Sequence, residues 1–102
     1  MNKPVSFKNH DRFIQLGIVI SSLRKIRGLS QKELAKKANI SRTQLSYIEA
    51  SNVPHRFSLD VFFNIADALD VDPVDLINAS SFSDNIINKN KSKSKNDSGE
   101  TK

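Results

Sequence analysis

The sequence predicts an all-α fold. A compact domain of five helices is followed by a C-terminal tail that does not belong to the domain. Three observations support this prediction. Apolar residues between Phe13 and Ala79 recur at helical spacing and do not alternate as in strands. Ser and Asp residues stand where helix N-caps are expected, each before an apolar helical pattern. After Ile87 no apolar side chain occurs, so residues 88–102 cannot bury surface to offset their ordering entropy. We therefore expect a disordered C-terminal tail.

The first helix is predicted near residues 12–27, with residues 1–11 as an N-terminal arm. Its apolar stripe consists of Phe13, Leu16, Ile20 and Leu23. Gly28 follows the last helical residue, where a left-handed C-terminal cap is typical. We place the folded domain at residues 12–79.

Four further helices begin at a capping residue, and each cap is preceded by an apolar residue that can pack against the first turns. The predicted caps are Ser30 (with Glu33 as a capping box), Ser41 (with Gln44), Ser58 and Asp72, the last followed by Pro73. The apolar pairs are Leu29 with Leu34, Ile40 with Leu45, Phe57 with Phe62 and Val71 with Leu76. The resulting helices span residues 31–38, 42–50, 59–69 and 73–79.

Charge is divided unevenly along the chain. Residues 1–56 hold eleven Lys or Arg and three acids, residues 57–87 hold six Asp and no Lys or Arg, and residues 88–102 hold five Lys and two acids. A basic half next to an acidic half suggests a polyanionic partner, although a solvated basic surface would give the same count.

The composition argues against catalysis. The chain has no cysteine and two histidines far apart in sequence, and its three glycines are isolated. We therefore expect no enzyme, no metal, no cofactor and no small-molecule ligand. A polar N-terminus without a long apolar run suggests no signal peptide and no membrane partner, which favours a cytoplasmic protein.

The connection between the second and third helices spans only residues 39–41, a length that makes two helices cross steeply. On a helical wheel Leu45 and Ile48 of the third helix face the core. The opposite face carries Arg42, Thr43, Ser46 and Tyr47. This face has hydrogen-bond donors and no acidic side chain, which is the composition needed to contact the edges of DNA bases. An ordinary solvent-exposed helix face has a similar composition.

At residues 28–35 (GLSQKELA), 40–42 (ISR), 48–49 (IE) and 65–71 (IADALDV) the sequence resembles the lambda-repressor-like, xenobiotic-response-element (XRE) type of helix-turn-helix domain. The resemblance covers roughly residues 16–79. It implies a regulator that inserts its third helix into the major groove. The loop at residues 52–57 is about two residues longer than the commonest form of the family.

The resemblance also implies individual roles. Arg42, Thr43 and Ser46 match positions that read bases, with Tyr47 at the edge of that face. Gln31 matches a glutamine that contacts a phosphate and braces the third helix. Further phosphate contacts are expected from Lys32, Ser41, Asn52 and Arg56. Arg24 and Glu49 match a buried structural ion pair of some members.

The function predicted from these residues is sequence-specific binding of double-stranded DNA by a prokaryotic transcriptional repressor. We expect a homodimer, because twofold symmetry doubles the base contacts, with residues 80–87 and the fifth helix as the dimer surface. The alternative is an antitoxin or another protein-partner-binding module that uses the same fold.

Overall fold

The computed structural model describes the backbone of residues 5–80 and the side chains of residues 9–80. Four helices are α1 (Val5–Ile26), α2 (Gln31–Ala38), α3 (Arg42–Glu49) and α4 (Leu59–Ala68). A fifth, α5, begins at residue 73 and is described through residue 80. Residues 5–80 contain no strand, so the all-α prediction is confirmed. The expectations for the dimer segment beyond Ser80 and for the tail lie outside the described residues.

The predicted start of the first helix near residue 12 was wrong, because α1 begins at Val5. The polar segment before Asp11 lacks an apolar stripe, so the sequence pattern predicts an arm there. No glycine or proline interrupts it after Pro4, and proline is well tolerated immediately before or at a helix start. The polar N-terminal part of α1 thus continues the helix, although the residues of α1 that pack in the core lie further along the chain.

A left-handed residue follows three of the described helices, α1, α2 and α4. At the end of α1, Gly28 has φ +75°, its N–H bonds to the carbonyl of Lys25, and the next N–H bonds to the carbonyl of Arg24. This is the Schellman arrangement expected from a glycine after a helix. Asn39 after α2 and Asp70 after α4 take the same conformation, with φ 59° and 60°.

The predicted caps are present at all four helix starts. Ser30 forms the full capping box with Glu33, and the Ser41 and Ser58 hydroxyls accept the N–H three residues on. The carboxylate of Asp72 accepts the N–H of Val74 at 2.9 Å. The Ser30 backbone and side-chain hydrogen bonds hold the pKa of the exposed Glu33 carboxyl below its usual value.

The core is formed by one face of each helix. Its fully buried large side chains are Ile20, Leu34, Leu45, Ile65, Leu69 and Leu76. The four apolar residues that precede the caps, Leu29, Ile40, Phe57 and Val71, pack against this cluster. α2 packs on both α3 and α4, and α1 packs on α3, so α3 is supported from two sides.

Gly17 sets the distance between α1 and α3. A Cβ at this buried position would overlap the backbone carbonyl oxygen of Ile48, near the end of α3. Only glycine allows the backbones to approach this closely. The C-terminal end of α3 is therefore held directly on the α1 backbone.

Candidate nucleic-acid interface

The third helix has one buried and one open face, as the wheel predicted. Leu45 and Ile48 are at most 2% exposed, whereas Arg42, Thr43, Ser46 and Tyr47 are all exposed. The short α2–α3 connection is held by left-handed Asn39, whose position lets the N–H of Ile40 return to the carbonyl of Ala35. α3 thus stands on the core with its polar face toward solvent.

A shallow depression of about 270 Å³ lies along this polar face. Its lining residues are Gln31, Arg42, Thr43, Ser46 and Tyr47. None of them carries a carboxylate, and one carries a guanidinium. The structure thus brings the four predicted base-contacting residues together with the first residue of α2 in one surface.

Three side chains form a network behind this surface. Arg24 of α1 makes a bidentate contact with Glu49, in which Nε lies 2.8 Å from Oε2 and one terminal nitrogen lies 3.0 Å from Oε1. Its other terminal nitrogen donates to the carbonyl of Leu29 at 2.7 Å. The Gln31 amide donates to the same Glu49 Oε1 at 3.0 Å. The Arg24 and Glu49 side chains are only 11% and 4% exposed.

This network ties three helices together at one carboxylate. Glu49 is the last residue of α3, Arg24 lies near the end of α1, and Gln31 opens α2. Because Gln31 uses one N–H on Glu49, its second amide proton and its carbonyl oxygen are left for other partners. Its side chain therefore both braces α3 and borders the polar depression.

Tyr47 combines exposure with a specific neighbour. Its residue is 58% exposed, and its ring stacks on the imidazole of His55, with centroids 5.6 Å apart and planes 27° apart. His55 belongs to the loop between α3 and α4 and is partly buried. The polar face of α3 thus includes a side chain that contacts the following loop.

The other predicted phosphate contacts do not line the depression. Lys32 is exposed in the first turn of α2, and Asn52 is exposed in the turn after α3. The Ser41 hydroxyl accepts the Gln44 N–H at 2.9 Å and keeps its own proton to donate. The guanidinium of Arg56 lies 5.5 Å above the ring of Phe13 in α1.

The sequence patterns do not mark three residues that support this site or the domain around it. Gly17 counts only among the isolated glycines, although a glycine inside a helical pattern signals a close backbone approach. Arg27 donates to the carbonyl of Leu69 at 2.9 Å and so joins the end of α1 to the end of α4. His55 stacks on Tyr47, and nothing in the spacing of these two residues in the sequence indicates this contact.

The described part of the chain contains neither a candidate membrane span nor a candidate metal cluster. Its helices include none with the length and apolar character needed to cross a bilayer. Among the same residues no group of three or more His, Asp or Glu side chains could hold a metal ion.

Two short packed helices joined by a three-residue turn, the second with one buried face and one exposed polar face, form a helix-turn-helix. The family model described as "Helix-turn-helix" matches residues 20–76, more than half of the chain. The chain therefore belongs to the lambda-repressor-like, XRE-type helix-turn-helix family of DNA-binding transcriptional regulators. No protein of curated function matches the sequence.

Solved structures agree with this assignment. The restriction-modification controller protein C.AhdI from Aeromonas hydrophila is 30% identical, with 63% of this chain and 94% of that one covered and a TM-score of 0.58. A variant of the controller protein C.Esp1396I is 26% identical, with 68% and 87% covered and a TM-score of 0.62. The clp gene regulator ClgR from C. glutamicum, 22% identical with 79% and 95% covered, shares the fold at a TM-score of 0.64.

Proposed function

We propose that this protein reads a specific double-stranded DNA sequence by placing α3 in the major groove, and that it represses transcription there. The single observation that carries the proposal is the acid-free depression on α3, where Arg42, Thr43, Ser46 and Tyr47 are gathered. An α-helix fits the major groove, and residues near its N-terminus reach base edges. These four side chains are the proposed base contacts.

Arg42 is the main determinant of sequence in this proposal. Its guanidinium stands at the first position of α3 and is exposed. Arginine can donate two hydrogen bonds to O6 and N7 of guanine, whereas the Thr43 methyl can contact a thymine methyl. Ser46 and Tyr47 extend the readable face by one turn.

The phosphate contacts fix α3 in its groove. We propose that the remaining amide proton of Gln31, the Ser41 hydroxyl, Lys32, Asn52 and Arg56 supply them. Exposed donors that precede and follow α3 in the sequence support this assignment, since backbone contacts set the register of a DNA-binding domain. Such contacts add affinity without sequence preference.

The protein acts in this proposal as a homodimer on an inverted repeat with half-sites about 34 Å apart. One α3 offers too few base contacts for strong specificity, and two related by twofold symmetry double them. On α5 Val74 and Ile77 are 61% and 43% exposed, and the neighbouring acids keep this face away from DNA. We place the subunit contact there.

A dimer bound across a promoter excludes the polymerase sterically, which is the reason for proposing repression. Because its partner is DNA and the solved relatives include bacterial regulators, we propose a prokaryotic protein acting in the cytoplasm.

A protein-partner-binding module, such as an antitoxin, is the second candidate. It is favoured by the apolar exposure on α4, where Leu59 and Phe63 are 67% and 45% exposed in addition to the α5 residues. A surface of this kind binds proteins more readily than nucleic acid. Co-purification with a stoichiometric protein partner, together with no selected DNA sequence, would establish this reading in place of the first.

The test of the leading proposal compares Arg42→Ala with Lys36→Ala. Both remove one exposed positive charge, but Lys36 lies on α2 outside the depression. Binding is measured for a selected operator and for operators altered at each base pair. Arg42→Ala should lose about 1–3 kcal/mol of discrimination at one base pair per half-site, and Lys36→Ala should leave the pattern unchanged. Equal weakening on every sequence would reduce Arg42 to a phosphate contact.

A further inference from the structure

Tyr47 places a large aromatic ring on the proposed DNA-binding face, and contacts outside the core must hold this ring in one orientation. The residue is 58% exposed, so the core does not fix its side chain. An exposed ring samples several rotamers, and immobilising it on binding costs free energy. A neighbour that holds the ring beforehand reduces this cost.

The neighbour is the imidazole of His55, stacked on the Tyr47 ring at 5.6 Å with an angle of 27° between the planes. Offset stacking of this kind is a favourable geometry for aromatic pairs. His55 comes from the loop that joins α3 to α4, so the contact connects the recognition helix to a segment outside it.

The loop around His55 is itself anchored on α1. The ring of Phe57 packs edge-on against Phe13, with centroids 5.1 Å apart and planes at 81°. The Arg56 guanidinium lies 5.5 Å above the same Phe13 ring. Two consecutive residues after His55 therefore contact one side chain of α1, which restricts where His55 can lie.

We propose that His55 is a positioning residue for base reading: it holds Tyr47 in the orientation that contacts DNA and thereby sets the preference at the base pair that Tyr47 reads. This inference rests on the proposed function and deepens it. The loop that contains His55 thereby becomes a specificity element that acts through Tyr47.

The test uses the full chain with Tyr47→Ala, His55→Ala, the double variant and His55→Phe, which keeps a flat ring without the imidazole nitrogens. Val53→Ala is the matched control, because Val53 lies in the same loop and is equally exposed at 58%. Relative affinities are measured for operators altered at each base pair, at two salt concentrations, after circular dichroism has verified that every variant is folded.

Tyr47→Ala and His55→Ala should lower discrimination at the same base pair, His55→Ala by about two- to tenfold, the range expected for losing one aromatic pair. The double variant should be no worse than Tyr47→Ala, since both act through one ring. His55→Phe should retain the preference, and Val53→Ala should change nothing.

Three results would overturn the inference while leaving the proposed function intact. One is unchanged base preference in Tyr47→Ala. Another is a His55→Ala variant that binds every operator more weakly and whose affinity depends less on salt concentration, which would identify His55 as a phosphate contact. The third is His55→Phe behaving as His55→Ala. If the unaltered protein prefers no DNA sequence, both the proposed function and this inference fail. That result is distinguishable from the three above, in which the unaltered protein still prefers a sequence.

Discussion

Replacing Gly17 by alanine tests the close contact between α1 and α3. The added methyl group would overlap the carbonyl oxygen of Ile48. This oxygen is part of the α3 backbone and cannot rotate away as the end of a flexible side chain can. The two helices must therefore separate, and the whole of α3 must shift relative to the core.

The expected magnitude follows from two opposing effects. Alanine inside a helix is more favourable than glycine by roughly 0.5–1 kcal/mol. Overpacking a buried contact costs about 1–3 kcal/mol, and an immovable backbone atom places Gly17 in the upper part of that range. The net loss of unfolding free energy is therefore about 1–2 kcal/mol, or roughly 4–16 °C in Tm for a domain of this size.

Thermal and urea unfolding followed by circular dichroism measure this difference. Ser22→Ala is the control, because Ser22 lies exposed on α1 and its replacement introduces the same residue without the overlap. It should leave Tm unchanged or slightly raised. If Gly17→Ala were as stable as the parent or more stable, the close approach of α1 and α3 would be refuted.

Three further predictions concern stability. Glu49→Ala leaves the buried Arg24 guanidinium without its carboxylate and should lower the free energy of unfolding, measured with urea, by about 3–5 kcal/mol. Replacing Arg24 by Met and Glu49 by Leu together should lower it by less. Equal losses in the two variants would contradict a buried ion pair. Because Ser30 holds the pKa of Glu33 below its usual value, the stability that Glu33 contributes is present above the unfolded-state pKa and lost as pH falls through the folded value. The Tm difference between the parent and Glu33→Gln should therefore shrink as pH falls below the usual pKa of a glutamate, and a constant difference would contradict this. Gly28→Ala should lower stability by about 1–2 kcal/mol through left-handed strain alone, with DNA preference unchanged.

The starts of α2 to α5 and the orientation of α3 could be predicted, because both depend on residues that are close together in the sequence. Ser30 and Glu33 satisfy each other within one turn, so their identities suffice. Leu45 and Ile48 identify the buried face of α3, because a helix repeats every 3.6 residues.

The remaining features depend on contacts between distant segments. The start of α1 at Val5 is not marked by an apolar pattern. The role of Gly17 depends on where Ile48 lies after folding, 31 residues further along the chain. The stack of Tyr47 on His55 likewise depends on how the loop is anchored, which no local pattern discloses.

The most direct test of the central claim is selection of the full chain on a random double-stranded DNA pool at two salt concentrations. Sequence-specific recognition by α3 predicts enrichment of an inverted repeat that persists at the higher salt. Non-specific attraction of a basic surface to phosphates predicts weak binding that is lost with salt and enriches no sequence. That second result would contradict the assignment of Arg42, Thr43 and Ser46 to base reading.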